Sequence, residues 1–227
     1  MSEALPVEPA PEPLEPPRPA ELAAYLAARM CHDFISPASA VVSGLDLLED
    51  PTAQDMREEA MSLIASSARK LADLLAFTRV AFGASATAET FDARALEALA
   101  RGVFAHVRAE LDWQVTPPAL NKPSARAILN LAQLASAALP PGGVARVRAV
   151  ENAGGVALSV EAEGPRARLR PEVLAGLRGE GMGEGLHGHW VQAYYLHLIL
   201  KDAGGRVLAD AGPEKVTFAA TVPVERA

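Results

Sequence analysis

The sequence predicts an α+β protein: a helical hairpin followed by a two-layer domain of helices on one face of a mixed sheet. Two observations carry this reading. From Glu21 to Phe82 apolar residues recur at steps of three and four, the spacing of one helix face, whereas from Thr90 onward helix-like stretches alternate with short β-like ones. The punctuation agrees, since Asp50-Pro51-Thr52 is a turn and Gly83 a stop signal.

Residues 1–19 are dense in Pro, Glu and Ala with few large apolar groups, too little to offset the entropy of ordering, and read as a disordered Pro-rich leader. Residues 20–83 form the hairpin. Its first helix runs to Asp50, about 30 residues or ~45 Å, far beyond the usual length. The second spans about Ala53 to Phe82, with Thr52 or Asp55 available as its N-cap. Leu22, Leu26, Met30, Phe34, Ala38, Val41, Leu45 and Leu48 make one stripe, and Ala60, Ile64, Ser67, Leu71, Leu74 and Thr78 the other. Ile35, Val42, Leu63 and Leu75 widen both stripes beyond what one neighbouring helix can cover, so two hairpins are expected to pack as a homodimeric four-helix bundle. After the linker GASATAE, residues 90–227 form the second domain, with helices near 93–106, 124–139 and 190–202 and strands near 111–116, 145–150, 157–161, 206–209 and 215–222.

Composition excludes several classes. The chain has 227 residues, half of them hydrophobic, and no apolar run approaches the roughly 20 residues a membrane span needs. With no signal-peptide pattern and Cys31 as the single cysteine, a cytoplasmic protein without disulfides is expected. A formal charge of −7 argues against nucleic acid as a partner.

One stretch of the long helix, CHDFISP from Cys31 to Pro37, does not read as scaffold. An interior proline costs about 3 kcal/mol and cannot donate to the Asp33 carbonyl, so the helix should bend or loosen within a turn of His32. At 100° per residue His32 points away from the stripe containing Val41 and Leu45. It shares its face with Tyr25, Ala28, Arg29, Ser36, Ser39 and Ser43, mostly small residues that would let another protein approach. A neutral imidazole with a free nitrogen is a nucleophile, and Asp33 is placed to hold its tautomer and accept the ring proton. The plainer alternative is a surface histidine beside an incidental kink. A Cys31–His32 nucleophile pair is disfavoured because consecutive helix residues diverge. His187-Gly188-His189 reads as a loop with no metal role.

HDFISP resembles the phosphoacceptor motif of two-component histidine kinases, where histidine, adjacent acid and proline sit in the first helix of a dimeric hairpin. RAILNLAQLASAALPPGGVARV looks like the kinase Asn-box, with Asn130 matching the first asparagine and Leu134 standing where the metal-coordinating one belongs. LSVEAEGPRARL is similar to the strand carrying Asp-x-Gly-x-Gly, but Ala162 replaces the adenine-reading aspartate and Arg166 the second glycine, with Gly164 retained. The glycine-rich GMGEGLHG is only superficially like the second glycine box, and the bulky Trp190 follows it.

An intact phosphoacceptor beside a dismantled ATP site resembles the alphaproteobacterial ChpT family of histidine phosphotransferases. That likeness implies a degenerate ATPase-like α/β sandwich after the bundle, and relay of phosphoryl groups between receiver-domain aspartates through a phosphohistidine. Partners implied are a CckA-like hybrid kinase and CtrA-like and CpdR-like response regulators. His32 would be the phosphoacceptor and Asp33 the orienting acid or base. No ATP and no cofactor of its own would be used, Mg²⁺ coming with the receiver. Arg166, Arg168 and Arg170, alternating on an extended segment, would join Arg29, Ser36, Ser39 and Ser43 in holding an acidic receiver. An ATP-dependent kinase with drifted boxes and a non-enzymatic dimeric scaffold are the alternatives.

Overall fold

The computed structural model describes residues 15–83, 89–181 and 187–223, which leaves most of the leader, the centre of the linker and most of the glycine-rich stretch outside. Helix α1 spans Pro19–Glu49. Pro19 supplies a preset first turn, and the Glu21 carboxylate accepts the Arg18 backbone N–H at 2.9 Å, satisfying one of the donors a helix start leaves open. The helix runs unbroken through Pro37. Pro37 is buried and its missing N–H leaves the Asp33 carbonyl without a main-chain donor.

Asp50 organises the turn that follows: its Oδ1 accepts from the Thr52 backbone N–H and hydroxyl, each at 2.7 Å. A 3₁₀ turn at Gln54–Met56 leads into α2, Arg57–Ala81, so neither Thr52 nor Asp55 caps it. The two helices approach closely where Gly44 meets Ala60, for a Cβ on Gly44 would lie 2.6 Å from Ile64 Cγ1 and 3.1 Å from the Ala60 carbonyl oxygen. Gly44 is buried and Leu45 exposed, which corrects the stripe expected for α1 by one position.

The rest of the chain builds a sheet under a helical layer. Strand β1 (Thr90–Asp92) pairs with β3 (Ala119–Asn121) as a small antiparallel ribbon. The main sheet takes β2 (Ala109–Val115), β4 (Gly143–Asn152), β5 (Gly155–Glu163), β6 (Arg206–Gly212) and β7 (Lys215–Pro223) in the order β2-β4-β5-β7-β6. Only β2 and β4 run parallel, which makes the sheet mixed as expected. Strand periodicity sends Ala145, Val147 and Ala149 of β4, Leu158, Val160 and Ala162 of β5, and Val216, Phe218 and Ala220 of β7 into the core. Outside, Arg146 pairs with Asp112 at 2.9 Å and Glu161 at 3.3 Å.

Helices α3 (Ala93–Phe104), α4 (Lys122–Ala137), the short α5 (Pro171–Leu177) and α6 (His187–Asp202) cover the other face. Asp92 caps α3 by accepting from Arg94 and Ala95, and Asn121 caps α4 by accepting from Ser124. α4 is buried on nearly every side, with Ala125, Ala127, Ala132 and Ala135 allowing the sheet, α2 and α6 to crowd around it. Neither α5 nor the β1–β3 ribbon is anticipated by the sequence reading.

Candidate active site

The first half of α1 leans on the second domain. Trp190, Val191 and Tyr194 of α6 form a buried cluster against Leu22, Tyr25 and Leu26 of α1. Tyr25 meets Trp190 edge-on at 6.1 Å, Tyr194 stacks on it at 4.9 Å, and the indole N–H donates to the Glu180 carbonyl at 3.0 Å. Tyr25 therefore belongs to an internal seam, not to the open face expected for it. His32 lies just beyond this dock.

The His32 side chain is 88% exposed, and its Nδ1 sits 3.4 Å from Asp33 Oδ1. Asp33 is half-buried and its other oxygen, Oδ2, accepts from Arg29 Nε at 3.3 Å. Arg29 also donates through Nη1 to the Gly188 carbonyl in the first turn of α6. Only 12% of its side chain is exposed, so the guanidinium faces the protein and not a partner. Ser36, Ser39 and Ser43 continue the exposed face along α1, and Cys31 beside His32 is exposed and free. With Nδ1 turned to the carboxylate, Nε2 is the nitrogen left to solvent. An unhindered imidazole nitrogen backed by a carboxylate can act as a nucleophile.

The three arginines do not form one face. Arg166 has φ +58° in a turn, which breaks the alternation that an extended segment would give. Arg166 and Arg168 line a depression of about 320 Å³ with Arg108, Pro140 and Pro141. Arg170 turns instead toward α6 as the residue before α5. His187-Gly188-His189, expected as a loop, opens α6. Burial first, then the charges of Arg170 and Arg29, holds the His189 pKa below its ordinary value, with Glu172 and Asp33 pulling weakly the other way. His189 Nδ1, Arg170 Nε and Glu172 Oε2 are buried without hydrogen-bond partners among the described residues. Nothing in a sequence motif announces this cluster, because its members come from separate segments and one key acceptor is a main-chain oxygen.

In the segment likened to the kinase Asn-box, the polar side chains are bonded within the fold. Asn130 is fully buried; its Nδ2 donates to the Ala81 carbonyl at 3.1 Å and the Arg126 carbonyl at 2.9 Å, and its Oδ1 accepts from Gln192 at 3.2 Å. Tyr195 donates to the Phe82 carbonyl at 3.1 Å and Arg126 to that of Gly83. Together these side chains give donors to the carbonyls of Ala81, Phe82 and Gly83, where α2 ends. Leu134 and Ala162 are buried in the apolar core, and Trp190 is sealed among α1, α5 and α6. Gly164 has a packing reason of its own, since a Cβ there would lie 2.7 Å from the Gly142 carbonyl oxygen.

An exposed histidine backed by a carboxylate on a helical hairpin, joined to an α/β domain, is the arrangement on which sequence comparison bears. Residues 93–215 match the family model described as the histidine phosphotransferase C-terminal domain, and the chain belongs to the histidine phosphotransferase family. It is similar to the protein phosphotransferase ChpT of Brucella abortus strain 2308, 33% identical over 201 residues, 88% of this chain and 95% of that one. A solved bacterial phosphotransferase superposes with a TM-score of 0.81 at 31% identity, covering 92% of this chain and all of that one. No helix among the described residues is long and apolar enough to cross a membrane.

Proposed function

We propose that this chain relays phosphoryl groups between receiver domains through His32. The carrying observation is the exposed imidazole whose Nδ1 faces Asp33, leaving Nε2 open to an incoming aspartyl-phosphate. In the forward step the Nε2 lone pair attacks phosphorus, the N–P bond forms, and the P–O bond to the receiver breaks with release of its carboxylate. The ring then carries positive charge, which Asp33 stabilises through Nδ1–H. Transfer to a second receiver reverses these events. Phosphoryl transfer depends mostly on positioning and charge neutralisation, and the receiver's acidic pocket and Mg²⁺ would supply the latter. CckA-like and CtrA-like or CpdR-like receivers are the candidates that the family resemblance implies.

The burial of Asn130, Leu134 and Ala162 supports loading by another protein in place of ATP. A homodimer through the hairpin is the assembly we infer. Ile35 and Val42 on α1 are 62% and 56% exposed, Leu45 joins their stripe, and Met61, Leu63 and Leu75 are exposed on α2. Incubation with labelled ATP alone should leave the protein unlabelled, whereas a phosphorylated receiver should label His32. Autophosphorylation from ATP would overturn the relay reading, and a monomer in sedimentation at micromolar concentration would overturn the bundle.

A further inference from the structure

Arg29 lies one turn before His32, yet its side chain is almost wholly withdrawn from solvent. Two acceptors hold it: Asp33 Oδ2 on the same helix and the Gly188 carbonyl 159 residues away. A planar guanidinium suits this arrangement, since its donors point along fixed directions and reach two acceptors at once, which a lysine ammonium does not reproduce. The bridged carboxylate then has its remaining oxygen, Oδ1, at 3.4 Å from His32 Nδ1. Neighbouring helix residues diverge by about 100°, so an untethered Asp33 would have no cause to keep facing the imidazole.

The tether is anchored on the firm side. Gly188 belongs to the α6 turn that precedes Trp190, and Trp190 is buried against α1. A Cβ on Gly188 would meet nothing within 4 Å, so the residue contributes its main-chain oxygen and not a steric requirement.

We propose that Arg29 is a positioning residue for the phosphoacceptor. Held by the α6 main chain, it fixes Asp33 so that Oδ1 accepts the Nδ1–H of His32 and the Nε2 lone pair points outward. This rests on the reading of His32 as phosphoacceptor. It also makes the second domain part of the site, because the contact that orders Asp33 exists only when α6 is seated on α1.

The test is ¹⁵N NMR of the full chain labelled at histidine, with His32 assigned by loss of its signals in H32Q. The native protein should hold His32 as the Nδ1–H tautomer above pH 8. In Arg29→Gln the populations should move toward Nε2–H, and transfer from a phosphorylated receiver should slow about tenfold to a hundredfold with little change in KM, the signature of lost orientation. Arg29→Lys should recover part of both. Asp33→Ala leaves the Arg29–Gly188 contact in place and should show the same tautomer shift, which covers the case of a poorly folded Arg29→Gln. Retention of the Nδ1–H tautomer in Asp33→Ala, or in a folded Arg29→Gln, would overturn the proposal. The tautomer is read without any transfer reaction, so failure of the relay reading, seen as labelling of H32A, remains distinguishable.

Discussion

Two polar regions of this molecule have opposite fates. Around His32 a few charged groups are arranged in a line that ends at solvent: Gly188 carbonyl, Arg29, Asp33, imidazole. Around Asn130 the polar side chains bond within the fold, with Asn130, Gln192, Gln133, Arg126 and Tyr195 bonded to one another or to the carbonyls at the end of α2. The difference separates a group open to other molecules from a polar network internal to the fold. A buried polar group is costly without partners, and here an amide and a guanidinium find them at the end of a neighbouring helix.

The comparison breaks most directly at His32. His32→Ala should abolish labelling by a phosphorylated receiver while circular dichroism and sedimentation stay unchanged, because the lost side chain is 88% exposed. Residual labelling would move the acceptor elsewhere. Next in size is Ala162→Asp, which puts a carboxylate on a core-facing strand position. Ala162 faces the core between Ala145 and Val216, so an ionised side chain there should cost about 3 kcal/mol or more. Urea denaturation should reveal that loss, with no binding of a fluorescent ATP analogue. A variant that keeps its stability and binds the analogue would show that the cleft can still open.

Asn130→Ala sharpens the contrast further. It removes three hydrogen bonds and leaves the Ala81 carbonyl and a Gln192 N–H without partners, a loss of about 2–4 kcal/mol. Thermal melting should fall accordingly, while transfer measured well below the melting temperature is retained. A loss of transfer with unchanged melting would assign Asn130 a part in the chemistry.

How far the sequence revealed these regions depended on the range of the interactions. The hairpin and the main strands were legible because periodicity is local, and His32 with Asp33 stood out because their neighbours were small. Gly44, and not Leu45, is buried, and a stripe of apolar residues cannot register a glycine that lets two helices touch. Three-residue strands such as Thr90–Asp92 are too short to show alternation. The inward role of Arg29 has no local signal, because its anchor is a carbonyl 159 residues away and a main-chain acceptor has no residue type to recognise. The left-handed turn at Arg166 likewise has no mark in the RARLR pattern that implied one face.

The smallest effect concerns the seam that joins the exposed site to the second domain. His189 stands in the first turn of α6 with Nδ1 buried, facing Arg170 and Glu172 from the α5 segment and Arg29 and Asp33 from α1. Burial, then Arg170 and Arg29, lowers its pKa from the ordinary 6.5. Above that value both folded and unfolded chains carry a neutral ring and the site adds no pH dependence. As pH falls below about 6.5 the unfolded chain binds a proton that the folded chain resists, so stability decreases until the lower folded pKa is passed. His189→Gln keeps a polar side chain of similar reach and removes the titration. Between pH 7.5 and 5.5 the native protein should therefore lose more stability to urea than His189→Gln does, and subtracting the two curves removes the part common to the other histidines. Parallel curves would mean that His189 takes its proton equally in both states, and the α1–α6 seam would then have no charge-sensitive element at this position.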